Sequence, residues 1–217
     1  GYSENLIVTP FPGDQLAPVH VDDLLATAGE RDVVVFGPGL GDEDATLDAV
    51  REFLERFSGT AVVDADALQV VPEIDTEATL VCTPHQGELL AMGGETDDDW
   101  RERAELVEAF AAEVGHVLLV KGKEDVVSDG DRTRIGRTGT PAMTVGGTGD
   151  VLAGAAGALA AVLDPFDAAA VAAYANGRAG ERTAGGSSIF GEVRGGGLVA
   201  TDLLDELPEV LWGDDDV

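Results

Sequence analysis

Residues 32–57 read DVVVFGPGLGDEDATLDAVREFLERF, and this stretch decides the fold class. Asp32-Val33-Val34-Val35-Phe36 carries a continuous apolar run, which suits a strand buried on both faces of a parallel sheet. The glycine-rich turn Gly37-Pro38-Gly39-Leu40-Gly41 follows. An amphipathic helix over Asp44–Phe57 comes next, with Asp42 or Asp44 placed to cap it. Repeated strand–turn–helix units make an α/β domain, and such domains bind ligands beyond the carboxyl ends of their strands.

The alternation extends in both directions. Leu6-Ile7-Val8 reads as a short strand and Asp22–Ala28 as a helix. Ala61–Asp64, Thr79–Cys82 and His116–Val120 read as further strands. A helix over Asp97–Glu113 turns Leu106, Val107 and Phe110 inward. Beyond Val120 the rhythm changes: residues 125–128 and 132–135 form a hairpin across Asp129-Gly130-Asp131. Val151–Leu163 is a buried helix too short to span a bilayer, and Asp167–Thr183 is a second, alanine-rich helix. Ala155, Ala156, Ala158 and Ala160 let the two approach closely. Gly185–Gly197 reads as a mobile glycine-rich loop, Leu198–Leu207 as a closing helix, and Gly213-Asp214-Asp215-Asp216 as a solvated tail. No linker or repeat divides the chain, so residues 1–217 are expected to form a single domain.

Charge narrows the partners. The chain has 42 acidic residues against 13 Lys plus Arg, a formal net charge of -29, which repels nucleic acid and anionic membranes. Lysine is reduced to Lys121 and Lys123, and the acids are spread along the whole chain. This pattern points to the cytoplasm of a salt-adapted prokaryote, where at about 1 M salt the Debye length falls to roughly 3 Å. No apolar run is long enough for a membrane span, and the N-terminus lacks a signal-peptide pattern. The single cysteine, Cys82, excludes an internal disulfide and sits in an apolar run as a core residue.

Four segments lie where chemistry belongs. Gly37–Gly41 lets backbone approach a ligand, although a simple tight turn accounts for it equally well. Asp64-Ala65-Asp66-Ala67-Leu68 follows a strand, and Asp66 either caps a helix or faces a ligand. Thr83-Pro84-His85-Gln86-Gly87-Glu88 sets a His and a Glu three residues apart at a strand's carboxyl end. Gly146-Gly147-Thr148-Gly149-Asp150 is the strongest. Its successive N–H groups at a helix N-terminus form an anion site, and Asp150 in the first turn can accept a proton from an attacking hydroxyl. A chain this acidic has few cationic side chains to spare for an anion, so backbone donors take that task. Neither the Walker A order nor the dinucleotide G-x-G-x-x-G spacing is present.

Taken in order, these segments, with Lys121-Gly122, Thr138–Asp150 and Ala200-Thr201-Asp202-Leu203-Leu204, resemble the ribokinase-like superfamily. Within it the chain is similar to the ADP-dependent NAD(P)H-hydrate dehydratase family. The resemblance implies a ribokinase-like three-layer sandwich: a mostly parallel central sheet, helices on both faces and a small β-hairpin. It implies ADP-driven dehydration of hydrated NADH or NADPH, releasing AMP and phosphate. ATP is an alternative donor, with Mg2+ as cofactor and a homo-oligomeric assembly. Asp150 would be the catalytic base and would also touch substrate. Gly147, Thr148 and Gly149 would form the anion hole. Lys121, Gly122, Lys123, Glu124, Asp125 and Gly149 would border the nucleotide. Gly39, Gly41 and His85 would line the hydrate pocket, and Glu88 matches a position associated with magnesium.

Two departures stand out. Thr138-Gly139-Thr140-Pro141-Ala142-Met143 replaces the family's Thr-Gly-Asn-Pro-Gly-Met, and Asp125 stands where a Thr is usual. The family's usual first strand, turn and helix have no counterpart ahead of Gly1. A ribokinase-like kinase of a vitamin precursor or sugar, or an inactive nucleotide-binding fragment, is the alternative.

Overall fold

A computed structural model describes residues 7–185, 187–188, 191–192 and 197–213. Helix α1 (Val21–Ala28) leads into β1 (Val33–Phe36), and α2 (Asp44–Arg56) into β2 (Thr60–Val63). A 3-10 helix over Ala65–Glu73 precedes β3 (Thr79–Cys82), and α3 (Gln86–Ala91) and α4 (Trp100–Val114) precede β4 (Val117–Val120). The hairpin β5 (Asp125–Ser128) and β6 (Thr133–Gly136) follows, then α5 (Thr148–Ala160), α6 (Pro165–Ala184), β7 (Ser187–Ser188), β8 (Gly191–Glu192) and α7 (Ala200–Trp212).

The six main strands lie in chain order, β1 to β6. The first four pair in parallel, and β5 and β6 add antiparallel. Strand periodicity assigns the side chains to two cores. Ala61, Val63, Leu80, Cys82, Leu118, Val120 and Val126 point to one face, under α1, α2 and α4. Val62, Val81, Val117, Leu119 and Val127 point to the other, under α5 and α6. Helix α7 packs outside α6 through Leu203 and Leu207. This is the expected three-layer sandwich. Gly157 lets α5 settle on the sheet, because a Cβ there would come within 2.6 Å of Val35 Cγ2.

Cys82 is fully buried in β3, and burial pushes its thiol up to about 12. It is a core residue, as expected. No helix among the described residues is long and apolar enough to cross a membrane.

Several local expectations are corrected. Ile7 and Val8 lie outside any strand and are exposed, and Leu6 falls outside the described residues. Pro10 and Pro12 follow closely and have no N–H to donate to a ladder. Neither Asp42 nor Asp44 caps α2: Glu43 occupies the N-cap position without a side-chain bond, and Asp44 begins the helix. Leu106 is half-buried, while Val107 and Phe110 are in the core. Part of the Gly185–Gly197 segment forms the β7–β8 pair. The expected mobility of the rest, and the acidic tail at 214–216, lie outside the described residues.

Candidate functional site

The parallel strands deliver their carboxyl ends to one rim. Along it, Asp64 N–H donates to Phe36 O (3.0 Å), Thr83 N–H to Val63 O (3.0 Å) and Lys121 N–H to Pro84 O (2.8 Å). Polar side chains therefore emerge side by side from the ends of β2, β3 and β4. Asp64 is almost fully buried. It accepts from Lys121 Nζ at 2.9 Å and from Thr83 Oγ1 at 2.8 Å, both on Oδ1. Lys121 Nζ also stands 3.7 Å from Glu88 Oε2. Asp66, expected as a cap or a ligand contact, lines the smaller cleft described below and is not the cap: Asp64 holds the N-cap position of the 3-10 helix. The next residue, Ala65, is the non-glycine with positive φ among the described residues, at +53°. Local strain of this kind persists where surrounding structure fixes it. Here it turns the chain sharply just after the Lys121 partner.

His85 and Glu88 form a reciprocal cap on α3. His85 N–H donates to Glu88 Oε2 (2.7 Å), and Glu88 N–H donates to His85 Nδ1 (3.0 Å). An accepting Nδ1 leaves the proton of the neutral ring on Nε2. Both residues line a small cleft of about 180 Å³ with Ala65, Asp66 and Met92.

A larger cleft of about 520 Å³ adjoins it, since Lys121 lines one and Glu88 the other. Lys121, Gly122, Lys123 and Asp125 form one wall, Thr138–Pro141, Met143 and Thr144 another, and Thr148, Gly149, Leu152, Asn176 and Gly177 close it. The volume falls within the range of small-molecule sites, roughly 300–1,000 Å³. Its apolar parts are Pro141, Met143 and Leu152.

The N-terminus of α5 opens on this cleft. Gly147 is its N-cap with φ +91° and supplies no side chain to cap it. Thr148 Oγ1 is turned back onto the Met143 and Val145 carbonyls, at 3.0 and 3.1 Å. Thr148 thus contributes its N–H, and its hydroxyl holds the preceding loop in place. The first N–H groups of a helix have no partner inside it, so this terminus presents donors and the positive dipole end together. A Cβ on Gly149 would lie 3.5 Å from Lys121 Nζ, so the ammonium stands beside this first turn. Asp150, one residue on, is exposed.

The Lys121–Asp125 segment is held from below. Gly122 N–H donates to Asp125 Oδ1 at 2.9 Å. Burial pushes the half-buried Asp125 carboxyl up to about 6, against the opposing pull of the Gly122 N–H, Lys121 and Arg103. The buried Arg103 donates to Asp97 O (2.9 Å) and Glu124 O (3.3 Å). Glu124 Oε2 stands 3.5 Å from the same guanidinium, and Glu124 does not line the cleft. Gly39 and Gly41 lie on the turn after β1 with φ +75° and +81°, and neither borders the two clefts.

Sequence reasoning placed Lys121 and His85 correctly at strand ends. It left three residues without a role: Asp64 as the partner of Lys121, Arg103 as the anchor of the segment, and Asn176 in the cleft wall. The signal for Asn176 is a lone amide at helical spacing among the buried Ala169, Ala172 and Ala173.

A three-layer sheet with an uncapped, glycine-built helix terminus followed by an acid defines the ribokinase-like class of α/β folds. Known proteins agree with that class and narrow it. The NAD(P)H-hydrate dehydratase family profile (Carb_kinase) matches residues 1–196, and the chain belongs to that family. The bifunctional NAD(P)H-hydrate repair enzyme Nnr of Pyrobaculum aerophilum is 45% identical over 213 residues, covering 96% of this chain and 41% of that protein. Its counterpart in Methanospirillum hungatei is 39% identical over 209 residues, with the same coverages of 96% and 41%. The chain thus spans about two-fifths of these relatives. The ADP/ATP-dependent NAD(P)H-hydrate dehydratase of Bacillus subtilis, co-crystallised with ATP and Mg2+, superposes with a TM-score of 0.72 at 29% identity. That match covers 83% of this chain and 64% of the other. A ribokinase-like protein of Enterococcus faecalis, 21% identical with a TM-score of 0.73, matches in fold.

Proposed function

We propose that this chain dehydrates hydrated NADH or NADPH at the expense of ADP or ATP, restoring the dihydronicotinamide. The observation that carries this reading is Asp150 in the first turn of a helix whose uncapped N-terminus opens on the cleft, with the Lys121 ammonium against Gly149. Donors that exist before the substrate arrives stabilise developing phosphoryl charge without reorganising. The N–H groups of Thr148 and Gly149 and the Gly147 turn hold the transferring phosphoryl group. Lys121, Gly122, Lys123 and Asp125 border the rest of the nucleotide. His85, in the adjoining smaller cleft, faces the hydrate in this reading.

Asp150 accepts the proton of the hydrate hydroxyl as its oxygen attacks the terminal phosphorus of the donor. The donor's bridging P–O bond breaks, and with ADP the departing group is AMP. The carbon–oxygen bond of the phosphorylated hydrate then breaks, phosphate leaves with the bonding pair, and a ring proton is lost. The net change is removal of the elements of water from the ring. Magnesium accompanies such chemistry in this family. Among the described residues no group of three His, Cys, Asp or Glu side chains converges to hold a metal. The donor set therefore suits a cation carried on the nucleotide phosphates, with Glu88 as the candidate protein ligand. When bound, the cation neutralises phosphate charge. The acidity of the chain supports a cytoplasmic, salt-adapted setting, and chromatography in concentrated KCl would report the proposed homo-oligomer.

The test supplies ADP and NADH hydrate and follows the return of dihydronicotinamide absorbance. The wild-type chain restores it, and Asp150→Asn lowers turnover by about a thousandfold while keeping ADP binding. An Asp150→Asn variant with wild-type turnover sinks the assignment.

A further inference from the structure

The lining of the larger cleft is of two chemical kinds. Peptide N–H groups at the start of α5 and the Lys121 ammonium suit anionic oxygen. Pro141 and Met143 are apolar, and Asn176 adds a neutral amide.

Asn176 lies on the inner side of α6 and is 6% exposed. Its Oδ1 is buried and has no hydrogen-bond partner within the protein. Three other buried side-chain atoms share that condition among the described residues: Thr96 Oγ1, Arg103 Nε and Thr183 Oγ1. None of those three residues lines the cleft, and Asn176 does. Its neighbour Gly177 is fixed against Thr138, since a Cβ on Gly177 would overlap that side chain. The amide is therefore held on a rigid wall and has little freedom to find another partner.

A buried carboxamide oxygen asks for a donor, and a phosphate has none to offer once ionised. An uncharged heterocycle between apolar walls does. The exocyclic amino group of adenine donates, its neighbouring ring nitrogen accepts, and a carboxamide matches both at once.

We infer that Asn176 reads the base of the nucleotide, with Oδ1 accepting from the adenine 6-amino group and Nδ2 donating to the adjacent ring nitrogen. The inference rests on the nucleotide reading of this cleft proposed above. It adds a residue that sets the choice of donor, apart from the phosphate contacts, which are blind to the base.

Titration calorimetry tests it with two ligands, ADP and purine riboside 5′-diphosphate, which lacks only the 6-amino group. The wild-type chain is expected to bind ADP about tenfold more tightly. The near-isosteric Asn176→Leu removes both polar atoms and should bind the two ligands equally, at the weaker level. Inorganic pyrophosphate should bind Asn176→Leu as it binds wild type, because the N–H groups of α5 and Lys121 are unchanged; this also checks that the variant is folded. If Asn176→Leu does not fold, the wild-type comparison and the smaller Asn176→Ser carry the test. Discrimination that survives in the variants, or is missing in the wild-type chain, overturns the inference alone. A wild-type chain that binds neither ADP nor pyrophosphate overturns the nucleotide reading as well.

Discussion

The glycine-rich loops before α2 and α5 use glycine for opposite reasons. In the turn after β1, Gly37 has φ +127° and a Cβ there would overlap the Asp64 carbonyl. That glycine lets two pieces of protein backbone touch, and it fixes the strand end that carries the Lys121 partner. In the loop before α5, a Cβ on Gly146 would meet nothing within 4 Å, and one on Gly149 would make only ordinary contact. These glycines keep space in front of N–H groups. The first loop is therefore sensitive through folding and the second through binding, although the sequences look alike.

Substitution should separate them. Gly37→Ala combines a backbone clash with a left-handed φ, and is expected to cost more than about 4 kcal/mol. Little folded protein should survive, and a thermal melt near the wild-type value would remove the distinction between the loops. Gly147→Ala faces φ +91° and an Ala200 Cβ at 3.0 Å. A loss of about 1–2 kcal/mol is expected, with pyrophosphate affinity falling at least as far. Urea titration and calorimetry on the same sample show which property suffers more.

The smallest effect concerns charge beside the second loop. Asp125 titrates near 6, raised by burial, so it is a carboxylate above that pH and neutral below it. An ionised Asp125 repels the phosphates of a bound nucleotide. ADP affinity should rise by roughly threefold as pH falls from 8 to 5, after correction for the nucleotide's own protonation. Asp125→Asn should flatten that rise. The carboxyl is raised, so its effect on stability has the same sign. Protonation favours the folded chain between the unfolded value near 3.8 and the folded value near 6. That contribution is fully present below the lower value and lost as pH rises through the upper.

Much of this was legible from residue order. Leu118–Val120 announces a buried strand because a parallel sheet leaves no polar face there. Val33–Phe36, expected to be buried on both faces, is instead a strand at the sheet edge, with Val35 41% exposed and Phe36 alone in the core. The Gly146–Asp150 segment announces a glycine-built helix start, and α5 begins there with Gly147 as its N-cap. Reading failed where distant segments meet. Asp64 and Lys121 are far apart in sequence, and only the adjacency of β2, β3 and β4 brings them to 2.9 Å. Glu124 is expected to border a nucleotide, and its order in the sequence gives no sign that its carboxylate stands 3.5 Å from the buried Arg103 guanidinium. The strand expected at residues 6–8 is not formed at Ile7 and Val8 for a local reason, the prolines that follow.

Cys82 gives the molecule a built-in clock. It is the only thiol in the sequence, it lies in the middle of the sheet, and in the folded chain it is both shielded and held as the unreactive acid. A thiol reagent can reach it only while the sheet is open. The labelling rate thus counts openings one molecule at a time, without a dye or an engineered tag.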